Sequence, residues 1–471
     1  MQEKQPVTEE ALRARFGGTA DFVERELFLG TTRVWCCFLD GLTSGGSISD
    51  FVLRPLSREP DTLTAPELAA RALYGGVCNA VAQRTDDLET AAQKLVNGFC
   101  VALFPGEYAV AYEVKTPVNR SPAPPQVENT VKGAKDAFTE TVRINTSLVR
   151  RHLRTPSLRF DQSVVGRRSG TNVTVVWLDG VTDPRLVERM KRRVAELDVD
   201  SILTPAAAEE YLTGNRRTAF PLLQFTERTD KFCRGLLEGR VGVLIDGLPL
   251  GYLAPVDLGR LMESPEDLGR DYVSASCLRV LRYAGLLLSL LLPGLYIAMA
   301  KFHQEMLPTP LLLAIIESKK SVPFPTSFEV LGLLLAFELL QEAGLQLPHS
   351  VGQSISIIGG LVVGTAAVEA KLISPAALIV VAAAGICGYT LPGHDFADAA
   401  RVWRFALAAL SAFAGLFGLT AGLLAMVIHL AGLESFGKPY LAPFSAAREG
   451  GAVLRRRLSA KRSAGENGGA A

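Results

Sequence analysis

What this 471-residue sequence has least of is charge in its carboxy-terminal third. From Tyr283 to Leu433 there are eight Asp/Glu and six Lys/Arg, against 48 and 49 in the whole chain. Uncharged runs extend over Tyr283–Ala300, Ala343–Val368, Leu372–Gly393 and Phe405–Leu433. A bilayer core about 30 Å thick takes roughly 20 apolar residues of helix. Four runs reach or approach that length, which excludes a purely soluble protein.

Other absences narrow the field. Net charge is +1, so no basic excess argues for nucleic acid as a partner. The opening segment, MQEKQPVTEEALRARFGG, is charged throughout and lacks the apolar core of a cleavable signal. The polar part ahead of Arg279 is therefore expected on the cytoplasmic side. Seven cysteines form no C-x-x-C pair and predict no disulfide framework. The adjacent Cys36 and Cys37 sit in an apolar, strand-like run and read as packing residues. Five scattered histidines stand at no metal-ligand spacing, so no metal and no cofactor are expected. There is no phosphate-binding G-x-x-x-x-G-K-[ST] loop, no G-x-S-x-G and no H-E-x-x-H. No catalytic residue is assigned, and an enzyme is not expected.

The polar part divides in two. Residues 1–115 carry strand patterns at Arg33–Leu39, Phe99–Phe104 and Tyr108–Val114 and helical patterns at Ala65–Leu73 and Asp86–Leu95. Residues 116–127 hold four prolines in a run of ten and read as a linker, because Pro lacks a backbone donor and extends its predecessor. Residues 128–278 carry strands at Asn172–Leu178 and Arg240–Ile245, with helices at Asp183–Leu197, Pro205–Tyr211 and Asp230–Leu237. The expected architecture is an α+β membrane protein: two cytoplasmic α/β modules followed by an α-helical transmembrane bundle over 279–433. A basic cytoplasmic tail, 434–471, closes the chain. Both ends inside require an even number of crossings, and four fit the charge pattern with Arg279 and Arg282 inside and the Asp395–Arg404 loop outside. Six crossings remain the alternative.

Within the apolar region, Pro323 and Pro325 stop one element, and Thr326 or Ser327 is placed to cap the next, an apolar helix running to Gly344. That helix carries Glu329, Glu338 and Glu342. At 100° per residue Glu338 and Glu342 share a face, whereas Glu329 falls near the opposite one. Carboxylates at membrane depth are costly and usually meet water or a partner charge. All three are candidates for an ion pathway or a subunit contact; the alternative is a helix lying at the interface with its carboxylates in headgroup water. Gly360 with Gly364 and Gly418 with Gly422 are G-x-x-x-G pairs, which allow close helix packing within the chain or between subunits. Arg150 and Arg151, in a basic cluster at helical spacing, read as a lipid or subunit contact or as a solvated face. Arg455, Arg456 and Arg457 in the tail suit anionic membrane lipid.

Several segments in this order resemble the GerA family, the A subunits of bacterial spore germinant receptors. They are Lys132–Glu140 leading to Asn145–Arg151, Phe225–Asp230, Leu237–Val241, Val322–Glu329, Phe337–Gly344, Gly352–Ile355 and Ser435–Tyr440. The family pattern departs at Gly133-Ala134-Lys135 and Ala137, and Leu334 stands where a carboxylate is usual. The resemblance implies a subunit of a nutrient-sensing complex in the spore inner membrane, multi-pass, with both termini on the core side. Its implied partners are a transporter-like B subunit, a lipoprotein C subunit and further copies of itself in a pentamer surrounding a gated cation pore. Two alternatives stand beside this: an accessory spore-membrane ion channel of the same family, and a non-conducting scaffold or signalling subunit. A secondary transporter is weaker, since the apolar region has no visible inverted repeat.

Overall fold

The computed structural model describes residues 5–30, 32–60, 62–77, 79–116, 125, 128, 130, 132–214, 218–346, 364–442 and 444. Gly360, Arg455, Arg456 and Arg457 lie outside the described residues, as do the Gly352–Ile355 segment and most of the Pro-rich stretch. The chain divides into two compact units, Met1–Arg216 with Leu223–Pro255, and Arg217–Leu222 with Val256–Ala471.

The first unit holds both α/β modules. Its first module runs α1 (Glu9–Phe16), β1 (Phe22–Leu29), β2 (Thr32–Leu39), helical turns between 45 and 56, α2 (Ala65–Tyr74), β3 (Ala82–Thr85), α3 (Leu88–Val96), β4 (Phe99–Leu103) and β5 (Ala109–Glu113). Thr64 and Glu67 form a capping box at the start of α2, and Asp87 accepts from the Thr90 N–H at the start of α3. The sheet order is β1-β2-β4-β5-β3, with every neighbouring pair antiparallel. Alternation along β2 sends Cys36 and Cys37 to opposite faces. Cys36 packs with Val34, Cys100 and Tyr112, and Cys37 with Leu12, Phe16 and Leu95. Both are free thiols fully withdrawn from solvent, and burial pushes the Cys37 thiol upward.

The second module runs α4 (Val142–His152), β6 (Leu158–Val165), β7 (Thr171–Leu178), α5 (Pro184–Ala195), α6 (Pro205–Thr213), β8 (Gln224–Thr226), α7 (Thr229–Leu237), β9 (Val241–Ile245) and β10 (Gly251–Ala254). Its sheet order is β6-β7-β9-β10-β8, again antiparallel. The chain therefore takes the same path through both sheets, with a helix in the same place after each third strand. The hairpin turns correspond too: Gly106 and Gly247 carry φ of 74° and 85°, a region open to glycine at no steric cost.

In the second unit, α8 (Tyr272–Lys301), α9 (Thr309–Lys319), α10 (Thr326–Gln346) and α11 (Pro375–Gly388) precede a long helical stretch, His394–Ala431. That stretch is broken at Ala414 and Gly415, where φ/ψ of 57°/−139° at Gly415 leave the helical region. Trp403 and His429 have ring centroids 5.8 Å apart, whereas continuous helix between them would set them about 39 Å apart. The run Phe405–Leu433, expected to cross once, instead doubles back as a helical hairpin of two arms, α12 (394–413) and α13 (416–431). Lys301 Nζ donates to the Ala412 carbonyl at its apex, at 2.9 Å.

Contacts fix the directions of these helices. Gly285 lies beside Thr390 and Ser289 beside Gly388, so α11 runs antiparallel to α8. Glu329 bonds to Ser374, Phe337 faces Gly385 and Gln341 bonds to Tyr389, so α10 and α11 run parallel. His394 thus starts from the side on which α8 begins, the reverse of the outer placement expected for the Asp395–Arg404 loop. Among the described residues, Tyr272–Lys301 and His394–Ala431 are the helical stretches long and apolar enough to cross a membrane. Large apolar side chains point outward, among them Leu287, Leu288, Phe413 and Phe417, the last two 85% and 77% exposed.

Candidate functional site

The three glutamates of α10 meet three different environments. Glu329, in its first turn, is buried; one carboxylate oxygen accepts from the Ser374 N–H, and Lys319 Nζ lies 3.8 Å from the other. Ser374 is itself the cap of α11, accepting from the Ala377 N–H at 3.3 Å. Two helix starts and an ammonium therefore surround this carboxylate, the arrangement a helix macrodipole favours for an anion.

Glu338, further along the same helix, is half-buried and accepts from Arg404 Nη2 at 2.6 Å and Arg401 Nη1 at 3.1 Å. Both arginines come from α12, one turn apart. Arg404 is 3% exposed; Arg401 also reaches Asp398 and Gln341. Glu342 is exposed one turn beyond Glu338. The shared face expected for Glu338 and Glu342 thus carries one carboxylate held by two guanidinium groups and one at the surface. Arg401 and Arg404 were missed as site residues, because the sequence shows only a charge-balanced loop. The available signal was their i, i+3 spacing immediately before the apolar run Phe405–Leu433.

Of the paired glycines, the three that are described, Gly364, Gly418 and Gly422, meet neighbours within the chain. A Cβ at Gly418 would collide with the Leu410 carbonyl, and one at Gly422 would come 2.8 Å from Leu407 and Leu410 side chains, all on the opposite hairpin arm. Gly364 faces Leu378 of α11. Removal of Cβ at Gly418 and Gly422 is what lets α12 and α13 lie against each other.

Arg150 does not face lipid. Its guanidinium is 1% exposed and forks onto Asp21 at 2.7 to 3.0 Å, while Nη1 donates to the Thr155 and Leu158 carbonyls. Planar five-donor geometry suits this bidentate role, and the pair joins the first module to the second. Arg151 is half-buried, and its carbonyl accepts from Arg154. In the second unit, Arg279 and Arg282, expected on the inner side of the first span, both pair with Asp267, at 3.2 and 2.7 Å. In the first unit, His152 Nε2 lies 2.7 Å from Asp136. That bond raises the imidazole pKa against the opposing effect of burial. Burial alone would raise the Asp136 carboxyl, but bonds to His152 and Thr229 bring it down to about 2.

These features define a mixed α+β protein with a sheet-rich polar part made of one motif used twice, and an apolar helical part with charges paired inside it. The model of the Bacillus/Clostridium GerA spore germination protein family matches residues 10–463, and the chain belongs to that family. It is 34% identical over 431 residues to the uncharacterised membrane protein YfkQ of Bacillus subtilis (strain 168), covering 91% of this chain and 83% of the relative. It is 33% identical to spore germination protein KA of the same organism, over 91% and 79% of the two chains. Against spore germination protein A1, also of that organism, it is 33% identical over 90% and 87%. Among solved structures, the N-terminal domain of the A subunit of the Bacillus megaterium spore germinant receptor GerK3 aligns with a TM-score of 0.43 at 23% identity. That alignment covers 54% of this chain and 98% of the other.

Proposed function

We propose that this chain is a membrane subunit of a nutrient-responsive spore germinant receptor that assembles with copies of itself into a gated cation channel. Its partners on this reading are a transporter-like B subunit, a lipoprotein C subunit and membrane lipid, in the spore inner membrane. The polar unit sits on the core side, and α8, α10, α11 and the two hairpin arms each cross or enter the bilayer. Family membership and the length of the match to germination proteins support the receptor role.

The observation that carries the channel part is Glu338 between Arg401 and Arg404. A carboxylate so held is neutralised and offers nothing to a passing cation. Separation of α10 from α12 would free it, giving the two states that an effector can bias through unequal binding. Glu329 belongs to the closed packing on this reading, and Glu342 to the water-facing end of the path. Purified oligomers in liposomes test it: Glu338→Gln and Glu342→Gln are expected to change cation conductance. Unchanged conductance in both, with normal assembly, removes the pathway role. Electrical silence of the wild-type oligomer under all conditions, with partners still bound, favours the scaffold reading instead.

A further inference from the structure

The repeated fold supplies an internal control for its own first copy. Thr85 ends β3 and pairs with Ala109 at the start of β5; Thr226 ends β8 and pairs with Gly251 at the start of β10. The two threonines are equivalent. Thr226 Oγ1 donates to Glu128 and accepts from the Arg228 N–H at 3.1 Å. Thr85 is 1% exposed, yet its Oγ1 has no hydrogen-bond partner among the described residues. A buried hydroxyl left without a partner is costly and calls for an explanation.

The neighbouring turn differs in the same sense. In the second module, Asp246 accepts from the Val142 N–H at 2.9 Å, and the Gly247 N–H donates to the Glu140 carbonyl at 2.7 Å. The turn is thereby latched onto the start of α4. In the first module Pro105 stands in the place of Asp246, and its ring has no atom that can accept a hydrogen bond. Between this turn and the residues entering α1 there is instead a cavity of about 440 Å³, and Thr85 is part of its wall. That volume falls in the range of small-molecule sites.

The wall chemistry selects the guest. Glu9, Asp86 and Glu107 line the cavity, together with Trp35 and Tyr108, and no Lys, Arg or His is among the lining residues. Glu9 is paired with Arg13 at 2.9 Å and Asp86 with Arg84 at 2.9 Å; Glu107 has no ion pair among the described residues. Both rings already attract cations, with Arg13 and Arg33 5.3 and 5.4 Å from the Trp35 centroid and Arg84 4.2 Å from that of Tyr108. In the second module, Glu128 at the equivalent hydroxyl is balanced by Lys231 at 2.5 Å. In the first module Glu107 is the wall carboxylate with no such base among the described residues.

We propose that this cavity binds a small organic cation, an ammonium group on an apolar or aromatic body. Thr85 Oγ1 accepts a hydrogen bond from the ammonium, Glu107 is the counter-ion, and Trp35 and Tyr108 cover the body. The site is independent of the conductance reading and stands or falls without it.

Calorimetric titration of the full chain in detergent, against a micelle blank, tests the assignment with three near-isosteric probes: benzylammonium, benzyl alcohol and benzoate. The ammonium is expected to bind at least tenfold more tightly than the alcohol, and benzoate more weakly still. Glu107→Gln is expected to weaken benzylammonium binding about tenfold while leaving benzyl alcohol unchanged, the size of one charge-assisted contact. Thr85→Val, which keeps the side-chain shape, is expected to weaken it severalfold. Equal affinity for all three probes overturns the proposal. So does an absence of benzylammonium binding, or an affinity untouched by both substitutions.

Discussion

Arg404 Nη2 lies 2.6 Å from Glu338 Oε1, joining the apolar helix α10 to the first arm of the hairpin. Arg404 is nearly inaccessible, so the carboxylate is the group that satisfies its charge in an apolar setting. Removing one partner of such a pair strands the other, and that cost exceeds the net value of the pair. Arg404→Met is therefore expected to favour the separated state and raise resting cation leak in liposomes, on the order of tenfold for a shift of about 1.4 kcal/mol. The double variant Glu338→Gln/Arg404→Met is expected to leak less than the single one. Leak equal to wild type in Arg404→Met would sever the pair from gating.

The hairpin can be trapped covalently. Trp403→Cys with His429→Cys is expected to be joined within one chain by a short bifunctional thiol reagent with a reducible bridge, visible as a faster-migrating band that reductant abolishes. In a continuous helix the two positions would be about 39 Å apart and could not join within one chain. Gly415→Ala is expected to lower melting temperature, since a left-handed φ costs an alanine roughly 1 kcal/mol and its Cβ would press on Phe302 at 3.0 Å.

Asp21→Asn is expected to destabilise the polar unit by about 3–5 kcal/mol, because Arg150 would remain buried without its counter-charge. Asp21→Asn/Arg150→Met should recover much of that loss. Hydrogen exchange of amides in β1 and β6 measures both. Loss confined to one module would mean that this pair does not couple them.

His152 and Asp136 make stability depend on pH with a definite sign. The folded imidazole titrates above its ordinary 6.5, so its contribution is complete below that value and lost as pH rises through the folded pKa. Asp136 is held at about 2, below its ordinary 3.8, so its contribution is present above 3.8 and lost as pH falls toward 2. The melting-temperature difference between wild type and His152→Gln should be largest between about pH 4 and 6 and shrink as pH rises through the raised imidazole pKa. A difference that is flat with pH would show that the pair carries no linked proton.

How much of this was legible beforehand depended on burial. The central strands β2, β4, β7 and β9 announce themselves as apolar runs because both faces are covered. The edge strands do not: Phe22–Leu29 mixes Glu and Arg with its apolar residues, and Gln224–Thr226 is very short. With those strands invisible, the shared topology of the modules was invisible too. The acidic helix was readable from Pro325 and the apolar run behind it, but its ends were not: Thr326 is its first residue rather than its cap, and the helix passes Gly344 to reach Gln346. Its partners were not readable either, since pairing between positions far apart in the chain leaves no local periodic trace. Arg150 misled for a related reason: helical spacing places a guanidinium on a face without revealing that another module covers it. Gly415 was one glycine among several in an apolar run, and only its positive φ marks where the helix turns back.

Because α12 and α13 return the backbone to the level at which it departed, a fluorescent or enzymatic tag fused just after Leu433 should report the same compartment as one fused ahead of Tyr272.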